Sequence, residues 1–110
     1  MTDILLVISN FPDREHAQRL AEKLVEERLA ACVNVLSACT SVYRLQGRTE
    51  TATEFPVFIK TRKALYSRVE QAIRQEHPYE LPEIIAVPLG SGLSAYLEWV
   101  AAETRDPNGS

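Results

Sequence analysis

Two short runs in this chain are apolar at every position: Ile4-Leu5-Leu6-Val7-Ile8 and Ile84-Ile85-Ala86-Val87. Successive side chains of a strand point to opposite faces, so a strand made from either run needs an apolar cover on both sides. Between them lie two helical stripes. One is Ala17, Leu20, Ala21 and Leu24, closed by Val25 and Leu29; the other is Leu65, Val69, Ala72 and Ile73. Two helices cover one face of a sheet. A short C-terminal helix bearing Leu93, Tyr96, Leu97, Val100 and Ala101 hides part of the second face, and another subunit is the expected source of the rest.

The remaining signals set the order of elements. Asn10-Phe11-Pro12-Asp13 supplies a capping residue, a proline suited to a first turn and an acid favoured by the helix dipole. Segments 31–36 and 40–45 then read as one strand, Gln46-Gly47-Arg48-Thr49 as a turn, and 54–61 as the returning strand of a long hairpin, with Pro56 marking a bulge or an edge. A helix over 63–76 and a last strand over 83–89, stopped by Gly90-Ser91-Gly92, complete the pattern. The order β-α-β-β-α-β with an extra C-terminal helix predicts an α+β, ferredoxin-like sandwich on an antiparallel sheet. It is a single domain over residues 1–110, with 106–110 a frayed tail.

Charge excludes several partners. The formal net charge is -3, with Lys and Arg scattered among carboxylates, so neither nucleic acid nor anionic lipid has an electrostatic footprint to meet. The five apolar residues of the first run are too few for a signal core or a membrane span, and a cytoplasmic protein is expected. Cys32 and Cys39 fit a reducing compartment. On one strand, their seven-residue separation spans roughly 23 Å, too far for a disulfide.

Chemically capable side chains concentrate in His77-Pro78-Tyr79-Glu80-Leu81-Pro82-Glu83. Two prolines four residues apart make this a stiff extended connection. Glycine-rich phosphate loops, dinucleotide fingerprints, paired histidines and C-x-x-C motifs are all absent, and no nucleophile–base arrangement suggests an enzyme. His16 reads as a surface residue and Cys32 as a small core residue. His77 is the best metal ligand, with oxygens from Glu76, Glu80 or Glu83 and a thiolate from Cys39; such a site is weak and unselective unless symmetry adds ligands. Lys60 at a strand end is expected to pair with Glu80 or Glu83 or to meet an anion. Tyr43, Tyr79 and Trp99 suit amphipathic packing near an interface.

Taken together, Ala31-Cys32-Val33-Asn34, Ser41-Val42-Tyr43 with Gly47, Lys60-Thr61, His77-Pro78-Tyr79-Glu80 with Pro82-Glu83-Ile84, and Tyr96-Leu97 with Trp99 resemble the CutA family of divalent-cation tolerance proteins, over about residues 3 to 105. The resemblance implies a ferredoxin-like homotrimer whose long hairpins pair between neighbours. It also implies a role in tolerance of copper and other divalent ions, with no obligatory cofactor and Cu(II) or another divalent cation weakly bound. Of the ligand positions proposed in the family, only His77 matches here: Ser9 stands at the first-strand thiol position and Glu76 precedes His77, while Leu45 replaces a usual tryptophan. The assembly is also similar to PII-type signalling trimers. By that analogy Lys60, Tyr43, Tyr79, Glu80, Glu83 and Trp99 line an intersubunit cleft for a small effector, and a protein partner receives the signal.

Overall fold

The computed structural model describes residues 3–106. Of the tail expected to fray, Asp106 follows the last helix without regular structure, and 107–110 lie outside the described residues. Strand β1 (Ile4–Phe11) leads into helix α1 (Arg14–Glu26), followed by β2 (Cys32–Val35), β3 (Cys39–Leu45) and β4 (Arg48–Arg62). A 3-10 turn (Lys63–Leu65) opens helix α2 (Tyr66–Glu76), and β5 (Ile84–Pro88) and helix α3 (Ser94–Glu103) complete the chain. The antiparallel sheet runs β2-β4-β1-β5, with β3 paired to the outer half of β4. This is the α+β architecture expected from the sequence.

Local chemistry explains the helix boundaries. The Asp13 carboxylate accepts from the backbone N–H of His16 at 2.8 Å and contacts the His16 ring, and these bonds lower its pKa. Helix α1 stops where Arg28 enters the left-handed region at φ 58°, while the Leu29 N–H still bonds the Leu24 carbonyl at 2.8 Å. Leu29 is therefore buried beyond the helix rather than on it, and Val25, expected on the apolar stripe, is exposed. Helix α2 ends at His77, whose extended backbone follows from the proline after it.

The two faces of the sheet differ in their cover. Leu5, Val7 and Phe11 of β1 and Val57 and Ile59 of β4 pack with Leu20, Leu24, Leu65, Val69 and Ile73 of the helical layer. The alternate positions, Leu6, Ile8, Phe58, Ile85 and Val87, form the second face, where Ile85 and Val87 are 50% and 45% exposed. Helix α3 contacts β4 and β1, and only its Val100 is buried. Its C-terminal carbonyls are satisfied from outside the helix. Arg62 donates to the Ala101 carbonyl and to Thr104, Arg28 donates to Ala102 and Glu103, and the Thr104 hydroxyl donates to Val100.

One strand of the expected hairpin is broken in two. Cys32 lies opposite Lys60 and Cys39 opposite Glu54, so seven steps face six, and an extra residue is accommodated between β2 and β3. Pro56 sits across from this bulge, where its carbonyl accepts from Leu36 N–H at 2.9 Å. Both thiols remain free. The returning strand begins at Arg48, earlier than the expected 54, because Gln46 and Gly47 make a two-residue turn with φ of 52° and 79°. Positive φ at both positions matches the twist of paired strands.

Two substitutions test this account in urea unfolding. Leu20→Ala, fully buried under the sheet, is expected to lose about 2–5 kcal/mol. Gln46→Asn, better suited to the left-handed turn, is expected to gain about 0.5 kcal/mol.

Candidate functional site

Three parts of the chain meet where β1 ends: Ser9-Asn10-Phe11, the segment 77–83 and the middle of β4. The Ser9 hydroxyl, fully buried, donates to the Glu83 carbonyl at 2.7 Å, and the Asn10 amide donates to Glu83 Oε1 at 3.0 Å. His77 Nε2 lies 2.5 Å from the Asn10 carbonyl, and the Tyr79 backbone N–H donates to Nδ1 at 3.1 Å. A carbonyl only accepts and an amide N–H only donates, so the ring is neutral with its proton on Nε2. The imidazole is 7% exposed and stacks on Phe11 with centroids 4.4 Å apart. The Tyr79 ring tilts against it with centroids 4.9 Å apart. Partial burial raises the Tyr79 phenol pKa, and the nearby Glu54 carboxylate and Tyr43 raise it further.

His77, Tyr79, Glu83 and Tyr43 therefore converge at one end of the sheet. Sequence reasoning missed Ser9 and Asn10 as partners of this segment, and Glu54, which is 9% exposed. The signal for the first two was the polar break after Ile8. Glu54 stands out only once β3 is placed opposite it.

The other expected site residues lie elsewhere. Glu76 accepts from Arg19 Nε at 3.2 Å, Glu80 is exposed in the connecting segment, and Cys39 is exposed with Ser41 Oγ 3.8 Å away. Lys60 does not reach Glu80 or Glu83. It lies opposite Cys32 and Leu6 on the second face and donates to Asn34 Oδ1. Trp99 tilts against Tyr96 at 5.6 Å; burial and the neighbouring Cys32 raise the Tyr96 phenol pKa. Cys32 is thus half-buried at the foot of α3 rather than in the main core, and His16 is half-buried against Asp13.

The donor set does not fit a metal ion within one subunit. Among the described residues no three His, Cys, Asp or Glu side chains gather closely enough to hold one. Both nitrogens of His77 already have backbone partners, and Glu76 faces Arg19. A groove of about 930 Å³ opens at the opposite end of the sheet between Ile4, Lys63, Tyr66, Leu89 and Leu97 and holds none of the expected site residues.

Residues 5–103 match the profile of the CutA1 divalent ion tolerance protein. The divalent-cation tolerance protein CutA of Thermus thermophilus is 38% identical over 99 residues, 90% of this chain and 96% of its own length. The chloroplastic protein CutA of Arabidopsis thaliana is 37% identical over 102 residues, and the chain spans only 56% of its length. The crystal structure of CutA1 from Oryza sativa superposes with a TM-score of 0.92 at 36% identity, covering 96% of each chain.

Ser9→Ala leaves the Glu83 carbonyl without its donor and is expected to cost about 1–3 kcal/mol in chemical unfolding. The raised phenols predict an alkaline limit. In the unfolded chain tyrosine ionises near pH 10, whereas Tyr66, Tyr79 and Tyr96 hold their protons higher when folded. Their contribution is whole below about pH 10 and is lost as pH rises through the folded values. Tyr79→Phe should make the fall in melting temperature above pH ~10 shallower.

Proposed function

The chain belongs to the CutA1 family of divalent ion tolerance proteins, and on that footing we propose that it serves tolerance of, or response to, divalent metal ions as a cytoplasmic homotrimer. The observation that carries this reading is the match across residues 5–103, with relatives named for divalent-cation tolerance. The protein acts without enzymatic chemistry. Copper, or another divalent cation, is a weak ligand and not a resident cofactor, in keeping with relatives named for tolerance of divalent cations. Two unpaired thiols are consistent with a reducing compartment.

Assembly is supported by the exposed side chains of the second face. Ile85 and Val87 continue the row of Leu6, Ile8 and Phe58, a surface that favours burial against another copy. The hairpin adds Tyr43 and Leu45, and among the described residues no strand pairs with the outer edge of β3. A second reading, a PII-like sensor of a small effector, is favoured by the gathering of Tyr43, Tyr79 and Glu83 at one end of the sheet. Lys60 and Trp99 then belong to the second face, and a neighbouring subunit would have to bring the two groups together.

Deleting the gene in its own host should lower the copper, zinc or nickel concentration that arrests growth, and the intact chain should restore it. Unchanged growth on all three metals would overturn the tolerance role. In sedimentation, the wild type is expected at three times the 12.4 kDa subunit mass, and Val87→Asp at the subunit mass.

A further inference from the structure

We infer that His77 is a positioning residue that locks the 77–83 segment to the end of β1, and that it is not where this chain meets a metal. Four observations converge on the ring. Nε2 donates to the Asn10 carbonyl, Nδ1 accepts from the Tyr79 amide, one face stacks on Phe11, and the Tyr79 ring tilts against the imidazole. The imidazole is nearly inaccessible. A metal taking Nδ1 would strand the Tyr79 N–H; a metal taking Nε2 would displace its proton and leave the Asn10 carbonyl unpaired. Either loss leaves a part-buried backbone group without its partner.

The bond from the Tyr79 amide to Nδ1 closes a turn two residues long, the geometry that an Asx side chain makes with its own backbone. It fixes where Tyr79 starts and so brings the phenol to Glu54. The second bond ties the turn to Asn10, whose side chain holds Glu83 at the far end of the same segment. His77 and Glu83 thus fasten both ends of a proline-stiffened strap to one residue, through its backbone carbonyl and its side-chain amide. This inference stands apart from the metal-tolerance reading: the strap is locked whether or not metals bind elsewhere on the protein.

Nitrogen NMR of the wild-type protein, with and without equimolar Zn(II), tests the lock directly. The expected spectrum has a protonated Nε2 and a bare Nδ1, neither moved by zinc. Three variants separate the two arms. His77→Asn keeps an acceptor for the Tyr79 amide, so protection of that amide from hydrogen exchange should be retained. His77→Gln and His77→Ala should lose it by roughly tenfold. Copper affinity by calorimetry should match wild type in His77→Asn, whereas removing a ligating imidazole weakens binding tenfold or more. A zinc-induced shift at either His77 nitrogen, or a copper loss in His77→Asn, overturns the inference. Equal exchange of the Tyr79 amide in wild type and His77→Gln overturns it as well. Should no metal bind at all, the tautomer and the exchange series still decide the question, while the tolerance reading falls or stands on growth.

Discussion

The architecture depends on β4 remaining one strand over its full length. Its inner half pairs with β1 and β2 and its outer half with β3, so a single run of backbone joins the sheet to the projecting hairpin. On its inner half, Val57 and Ile59 enter the helical layer, and Thr61 on the same side bonds the Leu29 carbonyl at 2.5 Å. Phe58 and Lys60 look the other way. A strand with neighbours on both edges has little freedom to slip, because a one-residue shift would exchange these two sets.

The sheet has two ends with different characters. At one, β1 hands over to a strap held by side chains bonding to backbone: Ser9 to Glu83, His77 to Asn10 and Tyr79 to His77. At the other, α3 is held at its C-terminal end by two arginines that reach its last carbonyls. The apolar seam of α3 is thin, so direction and register there come from guanidinium geometry rather than from volume. Polar attachment of this kind leaves Leu93, Tyr96 and Trp99 partly in water, on the side where the sheet also lacks cover.

Much of this was legible in the sequence. The two-parity runs at residues 4–8 and 84–87 foretold a sheet needing cover on both faces, and the helical stripes foretold the buried Leu20, Leu24, Val69 and Ile73. The break between β2 and β3 was hidden because every residue from Cys32 to Leu36 and from Cys39 to Leu45 suits a strand; only pairing with β4 reveals the surplus residue. The site was half legible. A proline-bounded segment advertised His77, Tyr79 and Glu83. What the imidazole does there depends on backbone partners 67 positions away, at Asn10. Residue types do not encode a carbonyl's position, so a histidine that looks available for a metal and one that ties two backbones together read identically. Lys60 failed for a related reason: the strand end was correct, but register turned its side chain toward Asn34.

The surplus residue opposite Pro56 has a consequence for handed-out positions along the hairpin. In β2 the even-numbered Cys32 and Asn34 lie beside the even-numbered Lys60 and Phe58 of β4; in β3 it is the odd-numbered Cys39, Ser41, Tyr43 and Leu45 that lie beside Glu54, Ala52, Glu50 and Arg48. With β4 alternating without interruption, the bulge acts as a parity switch. It enrols one phenol, one leucine and both thiols on the side of the sheet that carries Phe58, and it sends Thr40, Val42 and Arg44 to the reverse. A chain one residue shorter at this point would present the opposite set, with the same strands, the same turn and a different surface for a neighbour to meet.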